Sequence, residues 1–150
     1  MRRLFYGNTV GGLGSLGLLL LRLVMGAAFV LHGWPKIQNP LDWMGAAAHV
    51  PPVLQACAAL AEFGGGMALI VGLLTRLAAL GITSNMVVAL AMVHLPHGDS
   101  FVSKPGGHSF ELPAVYLACA LVFLLLGPGR FSFDAFLFGQ PRQTEPRGGG

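Results

Sequence analysis

The chain has 150 residues, 54% of them hydrophobic and only 10% charged, with a formal net charge of +3. Soluble domains carry about 25% charged residues. This composition, with a mean hydropathy of +0.68, therefore excludes an ordinary soluble domain and indicates one domain immersed in lipid. The basic residues form no run, so nucleic acid is not an expected partner; the lipid bilayer is.

Residues 1–12 read as a short cytoplasmic lead. Arg2 and Arg3 make a basic start, but the apolar stretch behind them is too long for a signal peptide and carries Arg22, so a retained membrane helix is expected. Leu13 to Trp34 is the first predicted span, with Gly33 and Pro35 marking its end. A loop from Pro35 to Pro52 holds Trp43, and Leu41 to His49 is suited to a short helix on the membrane surface.

Val53 to Leu74 is the second span, covering about 33 Å at 1.5 Å per residue. It holds one carboxylate, Glu62, followed closely by Gly64, Gly65 and Gly66. A carboxylate at that depth is costly unless it is paired, protonated or turned toward a polar cavity. Thr75 and Arg76 make a tight turn into the third span, Leu77 to Leu95, which carries Thr83, Ser84 and Asn85 near its middle.

A loop rich in Gly and His, Pro96 to Ser109, precedes the fourth span, Phe110 to Leu126. Gly127-Pro128-Gly129 stops it, and the aromatic stretch from Phe131 to Phe138 is expected at the membrane interface. The polar residues 139–150 read as a disordered cytoplasmic tail. The expected fold is an all-α membrane protein over residues 13–138, a four-transmembrane-helix bundle with a short interfacial C-terminal segment.

Four spans place Arg2, Arg3, Arg76, Arg130, Arg142 and Arg147 on one side and only Lys36 and Lys104 on the other. The positive-inside rule then puts both termini in the cytoplasm of a cell whose inner membrane holds the chain. All five histidines (His32, His49, His94, His97 and His108) fall on the outer side or at the outer ends of spans. Cys57 and Cys119 lie at different expected depths and read as packing residues rather than a disulfide.

Two sets of residues can carry chemistry. Arg22, Glu62 and Asn85 come out near the midplane when counted from their span ends, so they are expected to form one interhelical cluster in which Arg22 pairs with Glu62. Such a cluster either locks the bundle or forms part of a functional site. At the outer ends, His32, Lys36, His94 and Glu111 can line a pocket for a quinone headgroup or another small polar ligand, because His and Lys donate to carbonyl oxygens. The plainer reading is of interfacial histidines contacting water and headgroups, with Glu111 favoured by the start of its helix. A metal site is not expected, since no acidic or cysteine cluster supports the histidines. No catalytic triad, phosphate-cradling loop or haem-attachment motif is present.

Several stretches taken together resemble the DoxX family: Arg22-Leu23 through His32-Gly33 and Lys36, Leu60-Ala61-Glu62-Phe63-Gly64-Gly65, Leu73-Leu74-Thr75-Arg76-Leu77-Ala78-Ala79, Val93-His94-Leu95-Pro96-His97-Gly98, and Gly127-Pro128-Gly129-Arg130-Phe131-Ser132-Phe133-Asp134. The resemblance implies a small four-helix integral membrane protein. It also implies Arg22, His32, Lys36, Glu62, Asn85 and His94 as family-type polar positions. The family is related to the membrane subunit of an archaeal thiosulfate:quinone oxidoreductase. Bacterial members are linked to membrane-associated oxidoreductase complexes in thiol and oxidative-stress balance. With no redox cysteine pair of its own, this chain would need a bound quinone or redox-complex protein partners for electron transfer. Two classes of function follow: a quinone-interacting membrane subunit, or a non-catalytic membrane partner or small-solute permeation protein.

Overall fold

The computed structural model describes residues 10–45, 50–103 and 107–138. Among them the chain is helical, with one isolated bridge between Ser100 and Ser109 in a loop. The helices are α1 (Gly12–Gln38), α2 (Pro52–Val71), α3 (Thr75–Ala89), α4 (Glu111–Leu126) and α5 (Phe133–Phe138), and a five-residue π turn, Leu90–His94, continues α3. α1 packs on α2, α2 on α3 and α3 on α4, and a lighter contact between α1 and α4 closes the bundle.

The burial pattern is inverted relative to a water-soluble bundle. Arg22, Ser15, Gln55, Glu62, Thr75 and Asp134 are buried, while Leu13, Val24, Leu31 and Leu125 are 72–88% exposed. Phe29, Leu69, Ile82 and Phe123 are buried too, but large aliphatic side chains on the outside with several polar ones inside suit a hydrocarbon solvent, where helix contacts come from close packing and hydrogen bonds. α1, α2 and α3 with its π turn are each long and apolar enough to cross a membrane. α4 is apolar but has 16 residues, about 24 Å of rise against a hydrocarbon core of about 30 Å. Of the four expected spans, three are thus full-length apolar helices and the fourth is short.

Glycine sets the α1–α2 contact. A Cβ on Gly66 would lie 2.7 Å from the Val30 nitrogen and 2.8 Å from the Gly26 oxygen, and one on Gly33 would lie 2.5 Å from the Phe63 nitrogen. The two backbones touch, so no larger residue fits at these crossings. The same contacts fix an antiparallel register in which Gly26 lies level with Gly66 and Ile70, and Gly33 with Phe63.

Two helix ends differ from the sequence expectation. α1 does not stop at Trp34; it runs through Pro35 to Gln38. Proline removes one hydrogen bond to the preceding turn, a cost tolerated near a helix end where little helix remains to lose. The extra turn puts Lys36 on the helix rather than in a loop. α2 ends earlier than Leu74. Gly72 takes φ +75, and its N–H and that of Leu73 both donate to the Ala68 carbonyl, at 2.8 and 3.0 Å. Thr75 therefore opens α3 instead of forming the turn.

Residues 40–44 form turns, and most of the rest of the proposed surface helix, residues 46–49 with His49, lies outside the described residues. So do most of the lead, Lys104 and the tail.

Candidate functional site

The polar residues gather into two knots, one beside the middle of α1 and one at its end. The first surrounds Arg22, which is 1% exposed. Its Nη2 donates to the Phe131 carbonyl, while Nε and Nη1 are buried without a hydrogen-bond partner. Asp134, fully buried, is the charge that acts on it. The Asp134 carboxylate accepts from the N–H of Leu74 at 2.7 Å and of Thr75 at 2.9 Å, and the Asp134 N–H donates to the Gly72 carbonyl at 2.9 Å. It thereby caps the start of α3 from another part of the chain, where free amides and the helix dipole favour an anion. It also holds Leu74 at φ +50, a left-handed conformation that a leucine adopts only when its surroundings enforce it. Gly72 has no alternative here, because a Cβ would fall on the Arg22 guanidinium. Beside this knot the Ser15 hydroxyl donates to the Val10 carbonyl at 2.9 Å and accepts from the Arg130 N–H at 3.2 Å.

The second knot surrounds Glu62, whose side chain is 7% exposed. Lys36 Nζ lies 2.6 Å from Glu62 Oε1 and 4.4 Å from the centre of the Trp43 ring. Asn85 Nδ2 donates to the Ala58 carbonyl at 3.0 Å and reaches the same Glu62 oxygen at 3.5 Å. Glu62 Oε2 is buried without a partner. The Trp43 Nε1–H donates to the Gln55 carbonyl at 2.9 Å. The Gln55 amide in turn accepts from the Met44 N–H at 3.1 Å and donates to the Val50 carbonyl at 3.0 Å. Gln55 therefore holds the loop, and with it Trp43, against the start of α2.

This arrangement corrects the expected midplane cluster. Glu62 and Asn85 do approach one another, but the partner of Glu62 is Lys36, and Arg22 sits in the other knot. The cause is the stagger of the helices. The glycine contacts set Glu62 level with the end of α1 and Arg22 level with the end of α2, and the turn of α1 past Pro35 presents Lys36 beside Glu62. Lys36 and Arg22 are fourteen residues apart, about 21 Å along the axis. Equal counts from the sequence-predicted span ends had concealed that offset.

The other candidates are not joined to Lys36. His32 is exposed, with its ring edge-on to Phe29 at 6.5 Å and to Tyr116 of α4 at 6.2 Å. His94 Nδ1 lies 2.7 Å from Asp99 Oδ2, at the end of the π turn. Glu111 is exposed in the first turn of α4. Among the described residues no hydrogen bond, ion pair or ring contact links His32, Lys36, His94 and Glu111 to one another.

Sequence reasoning gave no role in either knot to Gln55, Trp43, Asp134 or Thr75. Gln55 had a usable signal, since it lies seven residues before Glu62 and so on the same helix face. Asp134 had one too, as the single acid in an aromatic stretch. What sequence alone withheld was that its carboxylate reaches a turn about sixty residues earlier.

The DoxX family profile matches residues 17–95, which hold most of α1, all of α2 and α3, and every side chain of the Lys36–Glu62–Asn85 knot. The chain belongs to the DoxX family. It is 29% identical over 131 residues to the inner membrane protein YqjF of Escherichia coli (strain K12), an alignment covering 83% of this chain and 95% of that one. It is 30% identical over 122 residues to an uncharacterized protein of Haemophilus influenzae (strain ATCC 51907 / DSM 11121 / KW20 / Rd), covering 81% of this chain and 90% of the relative. No solved structure matches it significantly. The family and the inverted burial together make this DoxX protein a membrane protein. The Arg22 knot also depends on Phe131 and Asp134, which lie beyond the matched stretch.

Proposed function

We propose that this protein is a small inner-membrane subunit that holds a quinone headgroup at the outer leaflet for a partner oxidoreductase of thiol or oxidative-stress chemistry. In this reading all four apolar helices cross the membrane and both termini are cytoplasmic. The Arg22 knot then lies toward the cytoplasm and the Lys36 knot toward the outside. Reporter fusions at Gly98 and after Gln140 would report opposite sides; the same side for both would overturn this topology.

One observation carries the functional reading. Lys36 is a partly exposed ammonium, 23% accessible, held between a buried carboxylate and an indole face at the end of an apolar bundle. An ammonium has three donors, and here one is directed to Glu62 Oε1. Those remaining suit a quinone carbonyl, and the exposed leucines and valines of the bundle suit an isoprenoid tail. His32, one helical turn earlier and beside Tyr116, can present a further donor or a ring edge. The residues present therefore fit a quinone, which would supply the electron-carrying chemistry that the chain's own side chains do not.

The test is binding of ubiquinone and menaquinone to the folded, detergent-solubilised protein and to its Lys36→Met, His32→Ala and His94→Ala variants. Lys36→Met is expected to weaken binding about tenfold or more, as the loss of a charge-assisted hydrogen bond would. His32→Ala is expected to weaken it less, and His94→Ala least, because His94 Nδ1 is already engaged by Asp99. If wild type binds neither quinone, or no variant weakens binding, the reading falls. A second reading, a non-catalytic membrane partner, is favoured by the internal pairing of Lys36 with Glu62 and of His94 with Asp99, and it would then be preferred.

A further inference from the structure

Glu62 spends its two oxygens unequally. Both of its donors, Lys36 Nζ and Asn85 Nδ2, lie on Oε1, at 2.6 and 3.5 Å, and Oε2 is buried with none. A buried carboxylate oxygen without a hydrogen bond is costly, and a ligand that donates to it gains what the protein leaves unmade. Oε2 is closed to solvent as it stands, so one ligand oxygen meets both groups only as the partly exposed Lys36 side chain turns outward.

From this asymmetry we infer that the site prefers the reduced form of its ligand, the quinol, over the quinone, an inference that rests on the quinone reading above. A quinone presents only acceptors and satisfies Lys36 alone. A quinol hydroxyl is both acceptor and donor. It accepts from Lys36 Nζ and donates its O–H to Glu62 Oε2, so the acceptor on the protein and the donor on the ligand are both used. Asn85 contributes by holding Oε1 on the Lys36 side, with its amide anchored on the Ala58 carbonyl. Glu62 is thereby the specificity-determining residue, and Lys36 serves both redox forms.

The experiment compares a short-chain ubiquinone, its quinol kept reduced under anaerobic conditions, and the dimethyl ether of that quinol, each titrated against the full-length protein in mild detergent. Quinol is expected to bind about tenfold more tightly than quinone, the size of one added charge-assisted hydrogen bond. The dimethyl ether, which has no O–H, is expected to lose that advantage. This arm uses wild-type protein, so it holds even if a Glu62 variant does not fold. Where Glu62→Gln folds, it should bind both redox forms about equally, and Lys36→Met should weaken both. Equal binding of quinone and quinol by wild type, or an ether that binds as tightly as the quinol, overturns the preference and leaves the quinone reading standing. Failure of every ligand to bind overturns both.

Discussion

The two knots use the same kinds of groups, one cation and one carboxylate, to opposite effect. At the Arg22 end the charges engage the backbone. The guanidinium meets the Phe131 carbonyl, and the Asp134 carboxylate meets the amides of Leu74 and Thr75, all fixed groups of elements that must be brought together. At the Lys36 end the charges engage each other, the cation is partly exposed, and one carboxylate oxygen has no partner. Arg22 also keeps two nitrogens unpaired, but at 1% exposure it is enclosed, whereas the partly exposed Lys36, tied to a movable side chain, can exchange partners. The difference separates a structural lock from the end proposed above to take a ligand, within one small bundle.

The largest expected effect is at the lock. Asp134→Ala would remove the acceptor of two amides, the restraint on Leu74 and the neighbouring charge of buried Arg22, and should cost on the order of 3–5 kcal/mol. It would be seen as loss of folded yield or a large fall in thermal midpoint in detergent. A variant as stable as wild type would contradict the assignment of this end as a lock.

An intermediate effect is expected at the other knot. Glu62→Met should cost about 1–3 kcal/mol, less than at the lock because Lys36 can turn toward water. Lys36→Met combined with Glu62→Met should recover most of that loss, as expected when both members of a buried pair are replaced. Arg22→Met combined with Glu62→Met should instead be additive within about 0.5 kcal/mol, because the two sites are far apart. The thermal midpoints of the two cycles decide the matter. Coupling in the Arg22 cycle and none in the Lys36 cycle would restore the midplane pair that the sequence suggested.

The smallest effect is expected at His94. Its contact with Asp99 is local in the chain and partly solvated, so His94→Ala should shift stability by no more than about 1 kcal/mol. A larger loss would make the π turn a third structural centre.

Much of the fold was legible, and the reasons are physical. Long apolar runs punctuated by Gly and Pro located α1 to α4 to within about a turn, because composition alone decides what can sit in hydrocarbon. The polar residues were legible only in part: Arg22, Glu62, Asn85 and Lys36 fall in the two knots, but His32, His94 and Glu111 do not, and Gln55 and Asp134 were missed. Their partnerships were not legible. Pairing depends on helix stagger, and on whether Pro35 ends α1 or lies within its last turns and so presents Lys36 on the helix, which proline chemistry leaves open near a helix end. The glycines at 26, 33 and 66 carried the register, but only the observed backbone contacts reveal which glycine faces which helix.

The cap on α3 also bears on how the protein is made. Ribosomes deliver α1, α2 and α3 before residues 131–134 exist, so the nascent chain emerges with the Arg22 guanidinium and the Leu74 and Thr75 amides still waiting for their acceptors. The segment translated last completes the helices translated first. A premature stop ahead of Phe131 would leave every hydrophobic span intact for insertion, yet deprive all three groups at once. Quality control would then meet a protein that is correctly inserted and incompletely closed.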